Sequence, residues 1–341
     1  MKKGVFYFVF LLVLASCSQP NRFEGATEVN IVFKESEILL SHIADSVTYI
    51  YLEESENSVI GTISRMRYHK GFYYVIDGQQ LAVLVFDSNG KFINKVRSFG
   101  RGPGEYSSIN GFDVNPKDGS IEILDQNLFK ILKYSKEGKF LEEILIDQYV
   151  REFVILPSGQ YAFFTPDKNE AFKSGLWTSS PEGKFEKQLM TMQKLSSKTT
   201  FLPYYFYKDN DSVKFMDPYS GVIYAVSAES AKPQYHMQVG LQEVKGEEIN
   251  PFMGMYLDLE SWISFVVMPN KQFEKSSLVF FNKKDNTTFL GQNLKNDLDG
   301  VSLGLPVSQG LSPNILITIL SANNTNDSGN GNPRLQLIHL K

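Results

Sequence analysis

Short runs of β-branched and aromatic residues, parted by Gly, Asn and Asp, dominate the chain from Val47 onward. That is the pattern of successive β-strands joined by turns. The one stretch that predicts a helix is 250–267, where Pro251 suits a first helical turn.

The strand runs repeat. Phe72-Tyr73-Tyr74-Val75-Ile76-Asp77, followed by Leu84-Val85-Phe86-Asp87-Ser88-Asn89-Gly90-Lys91-Phe92, returns 48 residues later as Ile121-Glu122-Ile123-Leu124-Asp125 and Leu132 to Phe140. A third copy, Tyr161 to Thr165 and then Trp177 to Phe185, is displaced by 45. Gly90, Gly138 and Gly183 each precede Lys-Phe, where a hairpin loop needs a residue at positive φ. A fourth copy reads Val213 to Asp217 with Gly221 to Tyr224, and a fifth Leu278 to Asn282 with Thr287 to Phe289. Four-stranded units of this length are the signature of a β-propeller, and residues 47–341 hold six of them. The expected fold is all-β, a six-bladed propeller closed by pairing Val47–Leu52 with Leu335–Leu340, which removes the open edges.

The N-terminus reads differently. Met1-Lys2-Lys3 precedes ten uncharged residues, Val5 to Leu14, and then Ala15-Ser16-Cys17. This is the layout of a secretory signal, and ten apolar residues fall short of the roughly 20 that span a bilayer as a helix. Leu14-Ala15-Ser16-Cys17 resembles the lipobox of bacterial lipoproteins, and Cys17 is the single cysteine, so no disulfide partner exists within the chain. The resemblance implies acylation of Cys17 after removal of a signal over 1–16; the polar lead-in then reads as a lipid-anchored tether over 17–44, and the repeats place the propeller domain over 45–341. The implied location is the cell envelope, at the outer membrane.

Losing Lys2 and Lys3 leaves 32 basic against 38 acidic side chains, a net charge of −6. With no basic stripe, this composition excludes nucleic acid as a partner class.

The lipobox, Val47 to Glu53 with Ile60-Gly61, the segment Phe99-Gly100-Arg101-Gly102-Pro103-Gly104-Glu105-Tyr106, and Asn296-Asp297-Leu298-Asp299-Gly300 together resemble a known family. It is the six-bladed β-propeller lipoproteins of Gram-negative gut bacteria, related in shape to NHL-repeat and TolB-like propellers. The resemblance implies fold and export but no activity.

Chemistry is sparse in the sequence. The Gly100–Tyr106 turn joins two blades, and Arg101, Glu105 and Tyr106 are the candidate ligand-binding residues, expected at the channel mouth where propeller ligands sit. Gly300-Val301-Ser302-Leu303-Gly304 matches the hydrolase G-x-S-x-G pattern, with Asp327 and His339 following, but lacks the strand-to-helix setting that this motif needs. His42, His69, His236 and His339 are scattered, so a histidine metal site is not expected. Asp209-Asn210-Asp211 and Asn323 to Gly329 read as turns rather than calcium loops. The cluster Phe201, Tyr204, Tyr205, Phe206 and Tyr207 reads as packing between blades, with a stacking platform as its sharper alternative.

The expectation is a non-catalytic propeller that binds an envelope protein, glycan or peptide and needs no cofactor. The alternative is a propeller hydrolase or lactonase with calcium and carboxylates at the axis.

Overall fold

The repeated hairpins close as their glycines dictate. Gly90, Gly138 and Gly183 have φ of 84°, 86° and 81°, and their N–H groups donate to the carbonyls of Asp87, Ser135 and Ser180 at 3.0, 2.8 and 2.9 Å. At Gly90 a side chain is excluded twice: by the positive φ, and because a Cβ would overlap the carbonyl oxygen of Tyr51. Tyr51 belongs to a neighbouring sheet, so the hairpin docks on its neighbour as well as closing its own blade.

The computed structural model describes residues 23–31, 37–166, 174–191, 204–209, 212–218, 220–239, 252–268, 276–303, 308–309, 314–320 and 331–341. They form a six-bladed β-propeller. Blade 1 comprises Ile63–His69, Phe72–Asp77, Ala82–Asp87 and Phe92–Val96, and blade 2 comprises Gly111–Val114, Ile121–Asp125, Lys130–Tyr134 and Phe140–Leu145. Blade 3 holds Glu152–Ile155, Tyr161–Thr165, Gly175–Ser179 and Phe185–Met190. Phe206–Lys208, Val213–Met216, Val222–Val226 and Ala231–Val239 make blade 4; Phe252–Asp258, Trp262–Met268, Ser277–Asn282 and Thr288–Gly291 make blade 5. In blade 6 the described strands are Ile315–Leu320, Arg334–Leu340 and Ala44–Tyr51.

The first strands of successive blades touch around the axis, and the hydrophobic core lies in the wedges between blades. One cluster joins Tyr74 and Val85 of blade 1 to Ile123 and Leu132 of blade 2, another joins Ile131 of blade 2 to Phe163 and Trp177 of blade 3, and a third joins Phe164 of blade 3 to Phe215 of blade 4. Blades 4, 5 and 6 share the largest cluster, and Leu84 of blade 1 packs with Ile317 and Leu335 of blade 6. Each blade thus buries its faces only against its neighbours, which is why the ring must close.

It closes where expected. Ala44–Tyr51 runs antiparallel to Arg334–Leu340, with Thr48 opposite Leu337 and Tyr51 opposite Arg334. Nearer the axis, Ser308–Gln309 pairs in parallel with Met66 and Arg67 of blade 1.

Three expectations need correction. Within 250–267 the described residues form two antiparallel strands, because Ile263, Phe265 and Val267 alternate into the core. The fifth repeat copy is one strand out of phase, since Ser277–Asn282 is the third strand of its blade. Part of the stretch 17–44, expected as a tether, belongs to the ring: Thr27–Ile31 adds in parallel to Ala231–Val239 of blade 4, with Val29 and Ile31 buried. Ile38–Leu39 then pairs with Leu294–Lys295, and Asp297 accepts from the N–H and hydroxyl of Ser41 at 2.9 and 2.5 Å. The signal segment and Cys17 lie outside the described residues.

Candidate functional site

The turn that carries the candidate ligand-binding residues lies on the rim, away from the axis. Tyr106 is fully buried; its hydroxyl donates to the Leu81 carbonyl at 2.7 Å and its ring meets Tyr134 edge-on. Burial pushes its phenol up to about 12. Glu105 turns its carboxylate back to accept the Gly102 N–H at 2.8 Å. Gly104 packs against Phe140 of the outer strand of blade 2, and its carbonyl accepts from the Tyr134 hydroxyl at 2.8 Å. Arg101 is exposed. The three residues therefore do not converge at a channel mouth, because the linker fills the outer wedge between blades 1 and 2 before it enters blade 2.

The linker's far end is held by Asp125. Its carboxylate accepts from the N–H and hydroxyl groups of both Ser107 and Ser108, and from the N–H groups of Asn127 and Leu128. Burial opposes its charge, but these donors hold it below the ordinary aspartate range. Asp77 does the same in blade 1, gripping the N–H groups of Gly61, Thr62, Gln79 and Gln80. The shared Asp of the repeat is a linker clamp.

At the axis, the first strands bring together charges that the sequence leaves far apart. Alternation along Ile63–His69 turns Arg65, Arg67 and His69 to one side. Arg65 pairs with Glu152 of blade 3 at 3.2 Å, and its guanidinium lies over the ring of Tyr204, 4.9 Å from the centroid. The Tyr204 hydroxyl donates to the Ser64 carbonyl at 2.9 Å, and the Tyr205 N–H donates to Glu152 at 2.7 Å. One step further along the strands, Asp113 of blade 2 meets Arg67 at 3.2 Å and Lys208 of blade 4 at 2.7 Å, and accepts the Ile155 N–H of blade 3 at 2.8 Å. Blades 1 and 4 face each other across a ring of six, so these contacts cross the axis itself, in two tiers.

Both carboxylates of this hub have side chains only 1% exposed. Burial opposes the charge of Asp113, yet Lys208 and Arg67 hold its carboxyl below its ordinary value. For Glu152 burial wins and raises the pKa despite Arg65. Burial, and then the charges of Lys70 and Lys208, hold the His69 imidazole below its ordinary value. Beside the hub, Glu122 stands opposite Asp113 on the paired strand and accepts from Tyr161 and Asn115 at 2.5 and 3.0 Å. Burial raises its pKa.

Calcium does not fit this donor set, because arginine and lysine already occupy the positions facing the two axial carboxylates. Among the described residues no group of three or more His, Cys, Asp or Glu converges. Ser302 is exposed in a segment without helix or strand, and His339 shares a 2.9 Å hydrogen bond with Thr48 on the closing strands. Asp327, Asn210, Asp211 and Phe201 lie outside the described residues. Tyr205 packs with Phe164 of blade 3 and Tyr207 with Tyr256 of blade 5, as inter-blade packing requires, while Phe206 packs with Phe215 within blade 4.

Over residues 26–340 the sequence matches the family described as Domain of unknown function (DUF4934). The chain belongs to that family. The match begins one residue before the strand that docks on blade 4, so the DUF4934 domain includes that strand. Among solved structures, this DUF4934 chain is similar to a protein of Bacteroides fragilis described as exported, with a TM-score of 0.76 and 16% identity over 92% of this chain and 100% of that one. It is also similar to a member of the DUF4221 family from Bacteroides vulgatus, with a TM-score of 0.54 and 12% identity over 87% and 97% of the two chains. Likeness at such identities shows the fold alone. None of the curated proteins compared matches the sequence. No helix among the described residues is long and apolar enough to cross a membrane.

Proposed function

We propose that this chain is a non-catalytic propeller held at the cell envelope, which binds a ligand or protein partner on its surface. The observation that supports this most is the mutual neutralisation of the axial charges: the groups that would serve an axial active site are buried and spent on one another. Such a hub braces the ring and leaves recognition to the loops and wedges around it. Arg101, exposed on the rim, remains available to a partner; Tyr106 serves by shaping the turn.

Attachment rests on the Met1 to Cys17 pattern and accords with the exported protein of similar fold. With Phe23 packed on His236 and Thr27–Ile31 built into blade 4, only residues 18–22 separate an acylated Cys17 from the ring, a reach of about 20 Å fully extended. A kinship with NHL-repeat and TolB-like lipoprotein propellers belongs to the same proposal. Replacing Cys17 with alanine is expected to release the domain into the soluble fraction or leave it unprocessed. Retention on membranes at the mature size would overturn the anchor.

One observation favours the enzyme alternative. Asp113 and Glu122 face each other across paired strands with pKa values pushed apart, as an acid and base pair would have. Turnover of lactones or esters that disappears in Glu122→Gln would establish it and defeat the binding reading.

A further inference from the structure

We propose that the wedge between blades 1 and 2 is a binding site for a free apolar or aromatic α-amino acid, its side chain in an open cleft and its charged head on Lys136 and Glu137. The repeat itself singles this wedge out. In blade 2 one row across the second, third and fourth strands reads Glu122, Lys133, Glu142, with Lys133 reaching Asp118 at 3.3 Å and Glu142 at 3.8 Å. In blade 3 the row reads Ala162, Thr178, Lys187. There Thr178 donates to the Ala228 carbonyl at 3.2 Å and Lys187 pairs with Glu229 at 3.0 Å, tying blade 3 to the next hairpin.

In blade 1 the same row is Tyr74, Val85, Asn94. Asn94 spans the wedge to the Lys136 carbonyl at 3.2 Å, but the charged and polar groups of the next two wedges are replaced by apolar side chains around a cleft of about 260 Å³. Phe72 joins Tyr74 and Val85 in its lining, and Ile93, 49% exposed, forms its lip. Cavities of about 150 Å³ already admit benzene, so this one has room for a phenyl or branched side chain together with its α-carbon. At the rim Lys136 and Glu137 place opposite charges 3.7 Å apart, each two-thirds exposed. That pair offers a carboxylate and an ammonium to the two ends of a zwitterion, and an exposed ion pair costs little to rearrange. Rim and floor are one site, because Lys136 and Glu137 line the same cleft as Phe72, Tyr74 and Val85.

The test is titration of the mature protein with L-phenylalanine, followed by calorimetry and methyl NMR. Saturable binding near ~1 mM or tighter is expected. Val85→Lys with Asn94→Glu writes the third- and fourth-strand residues of the second blade's row into the first and should abolish it. Glu137→Gln, at an exposed position, should weaken binding about fivefold while leaving the melting temperature unchanged, and this variant decides the matter if the double variant does not fold. Absence of saturation in the unaltered protein, equal binding by Glu137→Gln, or saturation by toluene but not L-phenylalanine would each overturn the assignment.

Discussion

At the axis, charged side chains from blades 1 to 4 are buried and joined to one another, whereas in the wedge between blades 1 and 2 apolar side chains line an open cleft. Convergence of polar groups is the usual mark of a ligand site, but here it marks the part of the molecule least available to a ligand. Arg65, Arg67 and Lys208 find Glu152 and Asp113 from other blades, so the cost of burying each charge is offset within the ring. The wedge lacks that closure: Ile93 and its counterpart Leu141 in blade 2 are equally exposed, but only Leu141 lies beside an ion-paired row, and blade 3 carries a lysine-to-glutamate bridge instead. The available site is the place where the repeat is left unfilled.

The largest effect is expected at the axis. Asp113→Ala leaves Arg67 and Lys208 without their shared carboxylate and should cost about 3–5 kcal/mol, read from urea unfolding with an unchanged slope. A smaller effect follows from acid. Asp113, Asp77 and Asp125 are held below the ordinary aspartate value of 3.8, so their contribution is complete above that pH and lost as the pH falls through and below it. Asp125→Asn should flatten this acid limb in a pH series of melting temperatures, since its six donors then face a neutral amide. The smallest effect belongs to the wedge. Val85→Ala enlarges a space that is already open and should cost about 1 kcal/mol, at the low end for a buried valine, while altering whatever the cleft holds. Equal losses from Asp113→Ala and Val85→Ala would dissolve the contrast between the two regions.

Much of the ring was legible before the structure. The Gly-Lys-Phe spacing found three hairpins because positive φ at a tight turn leaves few residue choices, and the terminal strands announced their pairing through alternation. The N-terminal strand was not legible. Thr27–Ile31 looks like tether because its partner, Ala231–Val239, lies 200 residues away and the pairing is parallel, with no turn to signal it. The hub was hidden for a similar reason: Arg65, Asp113, Glu152 and Lys208 each read as a lone charge in or beside a short strand run, with its partner on another blade far away in sequence. The repeat offset gave no clue either: Arg67 and Asp113 hold equivalent points, opposite Tyr74 and Glu122, but the longer first hairpin of blade 2 shifts them out of the 48-residue register. The glycine-rich linker misled because its charges suggested exposure at the mouth, whereas Tyr106 and Gly104 pull the turn into the outer wedge.

The central claim is that the axial charges hold the ring together rather than await a ligand. A double-mutant cycle between Asp113→Asn and Lys208→Met, with unfolding free energies measured for both single variants and the double, tests it most directly. A coupling of about 2 kcal/mol or more is predicted, because the pair spans blades 2 and 4 through a buried 2.7 Å contact. A coupling near zero, with Asp113→Asn as stable as the unaltered protein, would show that the axis is free for other work and contradict the account.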